Sequence, residues 1–147
     1  MNGREQVQSC AAEAQGITVK EKSYGYEVIL PHLMPKRNHR NHTVFLLEPL
    51  TYALKEFTAA HPICRLEYAL IWFIYEYTED TPIHCIRDYD NIETKEVLDI
   101  INSFFLLDDG GAFCELHYST RRGNRNGTRV IISSDIGLVS CQKINGN

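Results

Sequence analysis

The apolar residues of the chain are spaced differently in successive segments, and the spacing predicts five strands. "YEVILP" (26–31) alternates and ends at a proline, which predicts a first strand. The β-rich "TVFLLE" (43–48) predicts a second. Residues 64–80 are β-branched and aromatic, which favours a long central strand over a helix. "FCELHYS" (113–119) and "TRVIIS" (128–133) predict two more, joined as a hairpin through the Gly- and Asn-rich stretch between them.

Two other segments have a helical period. The first follows Pro49, which suits a first helical turn, and its apolar face is formed by Leu50, Ala53, Leu54 and Phe57. It is expected to end before Pro62, because the residue ahead of a proline disfavours the helical conformation. The second begins near Asn91, and its apolar stripe is formed by Val97, Ile101, Phe104 and Phe105.

The resulting element order is ββαβαββ. It predicts an α+β, two-layer domain, with a mixed β-sheet and two main helices packed on one face. A chain of 147 residues favours one domain with a single core. We expect a flexible or weakly helical N-terminal arm at 1–22, the folded domain at 23–135 and a C-terminal tail at 136–147.

The composition of the chain predicts the cellular compartment. The hydrophobic share of 44% and the charged share of 23% are typical of a soluble globular protein. No apolar run reaches the roughly 18 residues of a membrane span, and the first residues lack the apolar core of a secretory signal. Five scattered cysteines, an odd number, favour free thiols in a reducing compartment. A cytoplasmic protein without membrane contact is expected.

Four potential zinc ligands occur in two pairs, which are His84 with Cys85 and Cys114 with His117. Adjacent residues in an extended segment point to opposite faces, so His84 and Cys85 converge poorly on one ion. Cysteines buried in strands are the favoured interpretation.

The charge is unevenly distributed. The formal net charge is −4, from 15 basic and 19 acidic residues. Two short segments, 36–42 and 120–129, nevertheless carry several positive charges and no acid. Such segments suit the phosphates of a nucleic-acid backbone. The candidate DNA-binding side chains are Lys36, Arg37, Arg40, Arg121, Arg122 and Arg125.

The stretch "IRDYDNIETKEVLDIINSFFLLDD" (86–109) begins and ends with paired carboxylates: Asp88 and Asp90, then Asp108 and Asp109. A structural interpretation is a capping box, in which Asp90 is the N-cap and Glu93 reaches back to its amide. The second pair, followed by two glycines, also suits a turn.

The alternative is a metal site. If Asp88 lies in extended chain, Asp88 and Asp90 project from the same side of it. The following helix returns the chain, so the strand after Asp109 can lie beside the strand that precedes Asp88, and the carboxylates can converge. Hard oxygen ligands suit Mg²⁺ or Mn²⁺, which can activate water against a phosphodiester. Arg87 and Lys95 lie nearby in sequence, and Lys95 could hold a phosphate.

These residues resemble the RusA-type Holliday-junction resolvases, whose mark is an Arg-Asp-x-Asp-Asn run before a helix that bears a lysine and an aspartate, closed by an Asp-Asp pair. Here that pattern is formed by Arg87, Asp88, Asp90, Asn91, Lys95, Asp99, Asp108 and Asp109. The likeness extends over about residues 27–133. Lys95 follows Asp90 by five residues, one more than is usual in that family, which rotates it by about 100° on a helix.

The resemblance implies a Mg²⁺-dependent (or Mn²⁺-dependent) endodeoxyribonuclease of bacterial or phage origin, a homodimer that resolves four-way DNA junctions by paired nicks. Asp88, Asp90 and Asp109 would hold the metal, Lys95 would be the essential lysine, Arg87 would contact DNA, and Asn91 and Asp108 would support the ligands. Two alternatives stay open. One is a catalytically inactive relative that binds branched DNA, and the other is a phage or mobile-element protein that acts on a host factor.

Overall fold

The computed structural model describes residues 16–34, 44–63, 65–89, 92–107 and 114–134. Its strands are β1 (Thr18–Lys22), β2 (Gly25–Leu30), β3 (Ala69–Thr78), β4 (Cys114–Gly123) and β5 (Gly127–Ser133). Its α-helices are α1 (Val44–Ala60) and α2 (Lys95–Phe105), and a short 3₁₀ helix spans Ile83–Cys85.

The five strands form one mixed sheet in the order β1-β2-β5-β3-β4. β3 and β4 are parallel, while the other neighbouring pairs are antiparallel. A parallel pair needs a crossover connection, and α2 lies within it. The element order is ββαβαββ, so the predicted α+β mixed-sheet architecture is confirmed.

Two elements differ from the sequence prediction. The segment 43–48, predicted as a strand, contains the first residues of α1, because Leu46 continues the buried helical face of Leu50, Leu54 and Phe57. The strand that completes the order is β1, within residues 18–22 that were assigned to the N-terminal arm. β1 is polar, "TVKEK", and its pairing with β2 rather than its composition makes it a strand.

The predicted hairpin between β4 and β5 is wrong, because β3 lies between these strands and pairs with both. The connection after Gly123 therefore passes the end of β3 before β5 begins at Gly127. Asn126 fixes this crossing, since its Oδ1 accepts a 2.9 Å hydrogen bond from the backbone N–H of Thr78. Alternation along each strand cannot reveal which strand is its neighbour.

The main core lies between one face of the sheet and the two helices. Leu50 and Leu54 of α1 and Val97 and Ile101 of α2 are fully buried in it. Tyr26 joins sheet to helices, with its ring centroid 5.9 Å from that of Phe57 and 4.9 Å from that of Phe105. α1 ends at Ala60, two residues ahead of Pro62, as expected.

The opposite face of the sheet carries a buried ionic network. Arg129 of β5 bonds Glu27 of β2 at 3.1 Å and Glu76 of β3 at 3.3 Å. Tyr24 donates to Glu27 at 3.0 Å. Burial alone would lower the pKa of Arg129, but the two carboxylates raise it above its usual value. Arg129 of the basic segment 120–129 is therefore paired within the sheet.

We predict that Gly25→Ala strongly destabilises the fold. Gly25 has φ 145°, which L side chains rarely adopt, and a Cβ there would overlap the carbonyl oxygen of Ile132. The free energy of unfolding should fall by about 3 kcal/mol or more, measured by urea denaturation with circular dichroism. Gly123→Ala is the control, because its Cβ would lie 3.3 Å from the movable Glu76 carboxylate. Equal losses in the two variants would contradict the prediction.

Candidate functional site

Three tyrosines stack on the helix-covered face of the sheet, and we call Tyr75, Tyr89 and Tyr118 the tyrosine ledge. The Tyr118 centroid lies 6.3 Å from that of Tyr75 and 5.9 Å from that of Tyr89. The interplanar angles are 12° and 26°. Tyr75 is 1% exposed and Tyr89 is 44% exposed, so the ledge runs from the core to solvent. Its outer ring is available for stacking.

The outer ring is held by hydrogen bonds around the segment 87–89. Thr120 donates to the Tyr89 hydroxyl at 3.0 Å. The Arg87 backbone N–H donates to the Tyr77 hydroxyl at 3.2 Å, and the Arg87 guanidinium donates to the Met34 carbonyl. The segment is therefore anchored to β3, to β4 and to the chain after β2, which limits the conformational entropy Tyr89 would lose on stacking.

A shallow pocket of about 410 Å³ opens beside the ledge at the start of α2. It is lined by Tyr89, Ile92, Glu93, Thr94, Lys95, Leu98, Leu116 and Tyr118. Much of the lining is aromatic or aliphatic, while Lys95 and Glu93 contribute charge. Such a surface can accept a flat apolar group against the tyrosines. Lys95 supplies one positive charge there, beside the carboxylates of Glu93, Glu96 and Asp99, which line an adjoining pocket with it.

The start of α2 differs from the predicted capping box. The N-cap is Thr94 rather than Asp90, so the helix begins about one turn later than expected. Thr94 makes no capping hydrogen bond from its side chain. Its hydroxyl lies 3.2 Å from that of Tyr118, and Glu93 instead accepts the Lys95 backbone N–H at 3.0 Å. Lys95 is thereby the first residue of the helix and is exposed.

The Tyr75 hydroxyl is buried and has no hydrogen-bond partner within the described part of the chain. Burial, followed by the neighbouring Tyr118, Tyr77 and Tyr89, raises the pKa of Tyr75. The phenol therefore stays neutral at physiological pH. It supports the ledge by packing rather than by proton transfer.

Two of the three predicted metal ligands, Asp90 and Asp109, lie outside the described residues. The predicted supporting residues Asn91 and Asp108 also lie outside them. Asp88 is described and exposed, directly before Tyr89. Within the described ranges, no three His, Cys, Asp or Glu side chains are grouped so that they could hold a metal ion. The described chain thus supplies one of three expected ligands.

The residues that flank the two acidic pairs in the chain lie toward opposite ends of α2. They are Arg87, before Asp88, and Leu107, before Asp108. Leu107 donates to the Leu66 carbonyl at 2.9 Å, and Leu66 donates to that of Phe105 at 2.8 Å, before the start of β3. Arg87 is anchored instead to Tyr77, near the end of β3. α2 has 11 residues, so it is roughly 16 Å long. Convergence of Asp88 with Asp109 stays a prediction.

The predicted DNA-binding residues also fall partly inside and partly outside the described part of the chain. Lys36, Arg37 and Arg40 lie outside the described residues. Arg87 is committed to the Met34 carbonyl, and Arg122 donates to the carbonyls of Thr78 at 2.8 Å and Thr81 at 2.6 Å. Arg121 is half-buried in β4, whereas Arg125 is exposed in the connection to β5. Arg87 and Arg122 therefore hold loops in place.

The four potential zinc ligands are not brought together. Cys85 is exposed in the 3₁₀ helix. Cys114 and His117 are three residues apart on β4, so they face opposite sides of the sheet. His117 contacts Glu115 at 2.8 Å. Burial raises the pKa of the Cys114 thiol, as expected for a packed cysteine.

The tyrosine ledge was missed by sequence reasoning. Its members come from β3, from β4 and from the segment between β3 and α2. A signal was present in "DYD", where an aromatic residue lies between two acids in a segment that is otherwise polar. The stacking partners, however, depend on the parallel β3–β4 pairing.

A family model described as a family of unknown function (DUF6100) matches residues 1–136. The chain belongs to this family. No curated protein matches it. Among the described residues, no helix is both long and apolar enough to cross a membrane.

Two solved structures of one bacterial protein are similar to this chain. The periplasmic domain of Helicobacter pylori MotB (residues 90–256) is 14% identical, with a TM-score of 0.45 over 90% of this chain and 86% of that one. A second structure (residues 97–256) is also 14% identical, with a TM-score of 0.43 over 88% and 96%. Similarity at this level carries no argument about the function of the DUF6100 chain.

We predict opposite effects for two phenol-to-phenyl substitutions in the ledge. Tyr75→Phe removes a buried hydroxyl without a described partner, so it should leave the free energy of unfolding unchanged or raise it by up to about 1 kcal/mol. Tyr118→Phe removes the contact with Thr94 and should lower it by about 0.5–1.5 kcal/mol. Urea denaturation of both variants measures the difference. A larger loss for Tyr75→Phe would contradict the packing role.

Proposed function

We propose that this protein binds nucleic acid, with branched DNA as the expected ligand, through the tyrosine ledge. The observation that carries the proposal is Tyr89, which is stacked on Tyr118, hydrogen-bonded by Thr120 and still 44% exposed. Stacking on aromatic side chains is a general way to hold unpaired bases. The base faces exposed at a branch point cost little to unstack further.

The surroundings of Tyr89 provide for the phosphate. Lys95 lines the same pocket at the N-terminus of α2, where the helix dipole also favours an anion. Arg125, in the connection from β4 to β5, is another exposed charge but does not line this pocket. Because contacts of basic side chains with phosphates release counterions, binding should weaken as salt rises. The junction specificity and a homodimer come with the RusA resemblance, a cytoplasmic setting is the expectation from composition, and all three belong to the same proposal.

A second candidate function is metal-dependent cleavage of that DNA, and the position of Asp88 favours it. This exposed carboxylate precedes Tyr89 by one residue, so it lies next to a base stacked on the ledge. Asp88 would hold Mg²⁺ or Mn²⁺ together with Asp90 and Asp109, as the resemblance implies. The metal would supply a Lewis acid for phosphodiester hydrolysis. Lys95 would hold the phosphate, and Tyr89 would orient its base.

We predict that Tyr89→Ala weakens binding to a four-way junction by about 1–3 kcal/mol, or roughly 5- to 150-fold, because a stacking surface is lost. The measurement is fluorescence anisotropy of a labelled junction at low salt with EDTA. Tyr68→Ala is the matched control, since Tyr68 is 42% exposed and lies directly before β3, at the end of the strand away from Tyr75. Equal affinities of Tyr89→Ala and Tyr68→Ala would remove the ledge from the binding surface.

Cleavage is tested separately. We predict that the wild-type protein nicks a four-way junction with Mg²⁺ or Mn²⁺ and that Asp88→Asn loses this activity while it retains binding. Asp80→Asn is the control, an exposed acid in the turn after β3. Binding without cleavage in either metal would select the inactive relative. No affinity for DNA at low salt would reject both candidates and favour a protein partner from the host.

A further inference from the structure

The two outer strands of the sheet differ in how they are protected against pairing with another strand. In the order β1-β2-β5-β3-β4, the outer strands are β1 and β4. β1 is short, "TVKEK", and most of its residues are charged. Short length and lysine side chains are usual means of keeping an outer strand from adding a further strand. β4 has ten residues, and its central stretch "LHYST" (116–120) contains no Lys, Arg, Asp or Glu.

The outer edge of β4 is open in the described part of the chain. Each residue of β4 is at least partly exposed, whereas β3 beside it is buried from Ala69 to Tyr77. Among the described residues, β4 pairs with β3 alone, and no backbone hydrogen bond from a turn or loop reaches it. Leu116, on this strand, is 38% exposed. The edge therefore offers backbone N–H and C=O groups beside an apolar side chain, as in sheets that bind an added strand.

We propose that β4 pairs antiparallel with β4 of a second copy of this chain, about a two-fold axis at Tyr118. A homodimer is already part of the proposed function, but this contact surface is inferred from β4 itself and does not depend on DNA binding. Antiparallel pairing of identical strands closes both free edges at once, so assembly stops at two copies. Pairing of β4 with β1 would instead be open-ended and would meet the charges of β1.

The charges along β4 favour this register. Glu115 lies near the start of the strand and Arg121 near its end. With Tyr118 on the axis, Glu115 lies opposite the partner's Arg121, and His117 lies opposite the partner's Ser119. Directly opposite side chains share a face, with Cβ atoms about 4.5–5.5 Å apart, so acid meets base twice. Glu115 also contacts His117, and Arg121 also interacts within its own chain, so these pairs select the register while the backbone supplies the affinity.

The pairing also joins the two candidate sites. Tyr118 belongs to the tyrosine ledge, and Leu116 lines the pocket beside it. On the helix-covered face, Leu116 lies opposite the partner's Thr120, the residue that donates to Tyr89 within each copy. The two ledges therefore meet at the axis, with one Tyr89 ring on either side. A ligand there contacts both copies and is expected to have two-fold symmetry, and this last step alone rests on the proposed function.

The test is the mass of the full-length protein in solution, measured by sedimentation equilibrium without DNA and with a reductant. We expect a reversible dimer with twice the chain mass of 16.9 kDa. Thr120→Lys puts a charge opposite the partner's Leu116, in two symmetric pairs, and should raise the dimer dissociation constant about 5- to 30-fold. Thr18→Lys is the matched control, since Thr18 is an exposed threonine of the other outer strand, and it should leave the constant unchanged.

Two substitutions of Glu115 test the register. Glu115→Gln removes the charge opposite the partner's Arg121, whereas Glu115→Lys reverses it. Both remove the carboxylate that His117 contacts, so they differ in charge alone at this contact. Glu115→Lys should dimerise about 2- to 30-fold more weakly than Glu115→Gln, because like charges then lie opposite each other in two pairs. High salt should reduce this difference.

Each outcome separates the inference from the alternatives. A wild-type chain that stays monomeric up to its solubility limit would overturn it, and protection of the outer β4 amides from hydrogen exchange in that monomer would assign the edge to a segment of the same chain. Equal constants for Thr120→Lys and Thr18→Lys would remove β4 from the interface, and equal constants for the two Glu115 variants would reject the register. A dimer without affinity for a four-way junction would support this inference and reject the proposed function. A monomer that binds the junction would do the reverse.

Discussion

The burial of β3 is the constraint on which the rest of the structure depends. Its residues from Ala69 to Tyr77 are all buried, and it pairs along both edges, with β4 in parallel and with β5 antiparallel. A strand of this kind needs cover on both faces. α1 and α2 cover one face, and the opposite face, with Trp72, requires a layer of its own.

The same strand organises the candidate site. Because β4 runs parallel to β3, Tyr118 can stack beside Tyr75, and the crossover chain brings Tyr89 onto both rings. The anchors of Arg87 on Tyr77 and Met34 are made from that same crossover. The same stack of tyrosines therefore contributes to the core and to the proposed ligand surface. Its buried end, Tyr75, packs in the core, and its outer end, Tyr89, is exposed to solvent.

Several of the described arginines are used inside the fold. Arg129 pairs with both Glu27 and Glu76 within the sheet, and Arg122 holds the turn after β3 through backbone carbonyls. Removal of Arg129 would leave the buried Glu27 and Glu76 without their ionic partner. A count of basic residues in a segment consequently overstates the charge that is available to a nucleic acid.

The sequence by itself determined the class of the fold and the position of its strongest elements. Hydrophobic runs and periods were enough for β2, β3, β4, β5 and the buried stripe of α2, because those signals are local. It could not determine that β1 is a strand, that 43–48 belongs to a helix or that β3 separates β4 from β5, since these depend on pairing and packing between distant residues. For the site, the segment "DYD" was singled out for its carboxylates and not for Tyr89, and the stacking partners of Tyr89 were decided by the tertiary structure. Tyr75 and Tyr118 stack because β3 and β4 are neighbours in the sheet, although α2 separates these strands in the chain.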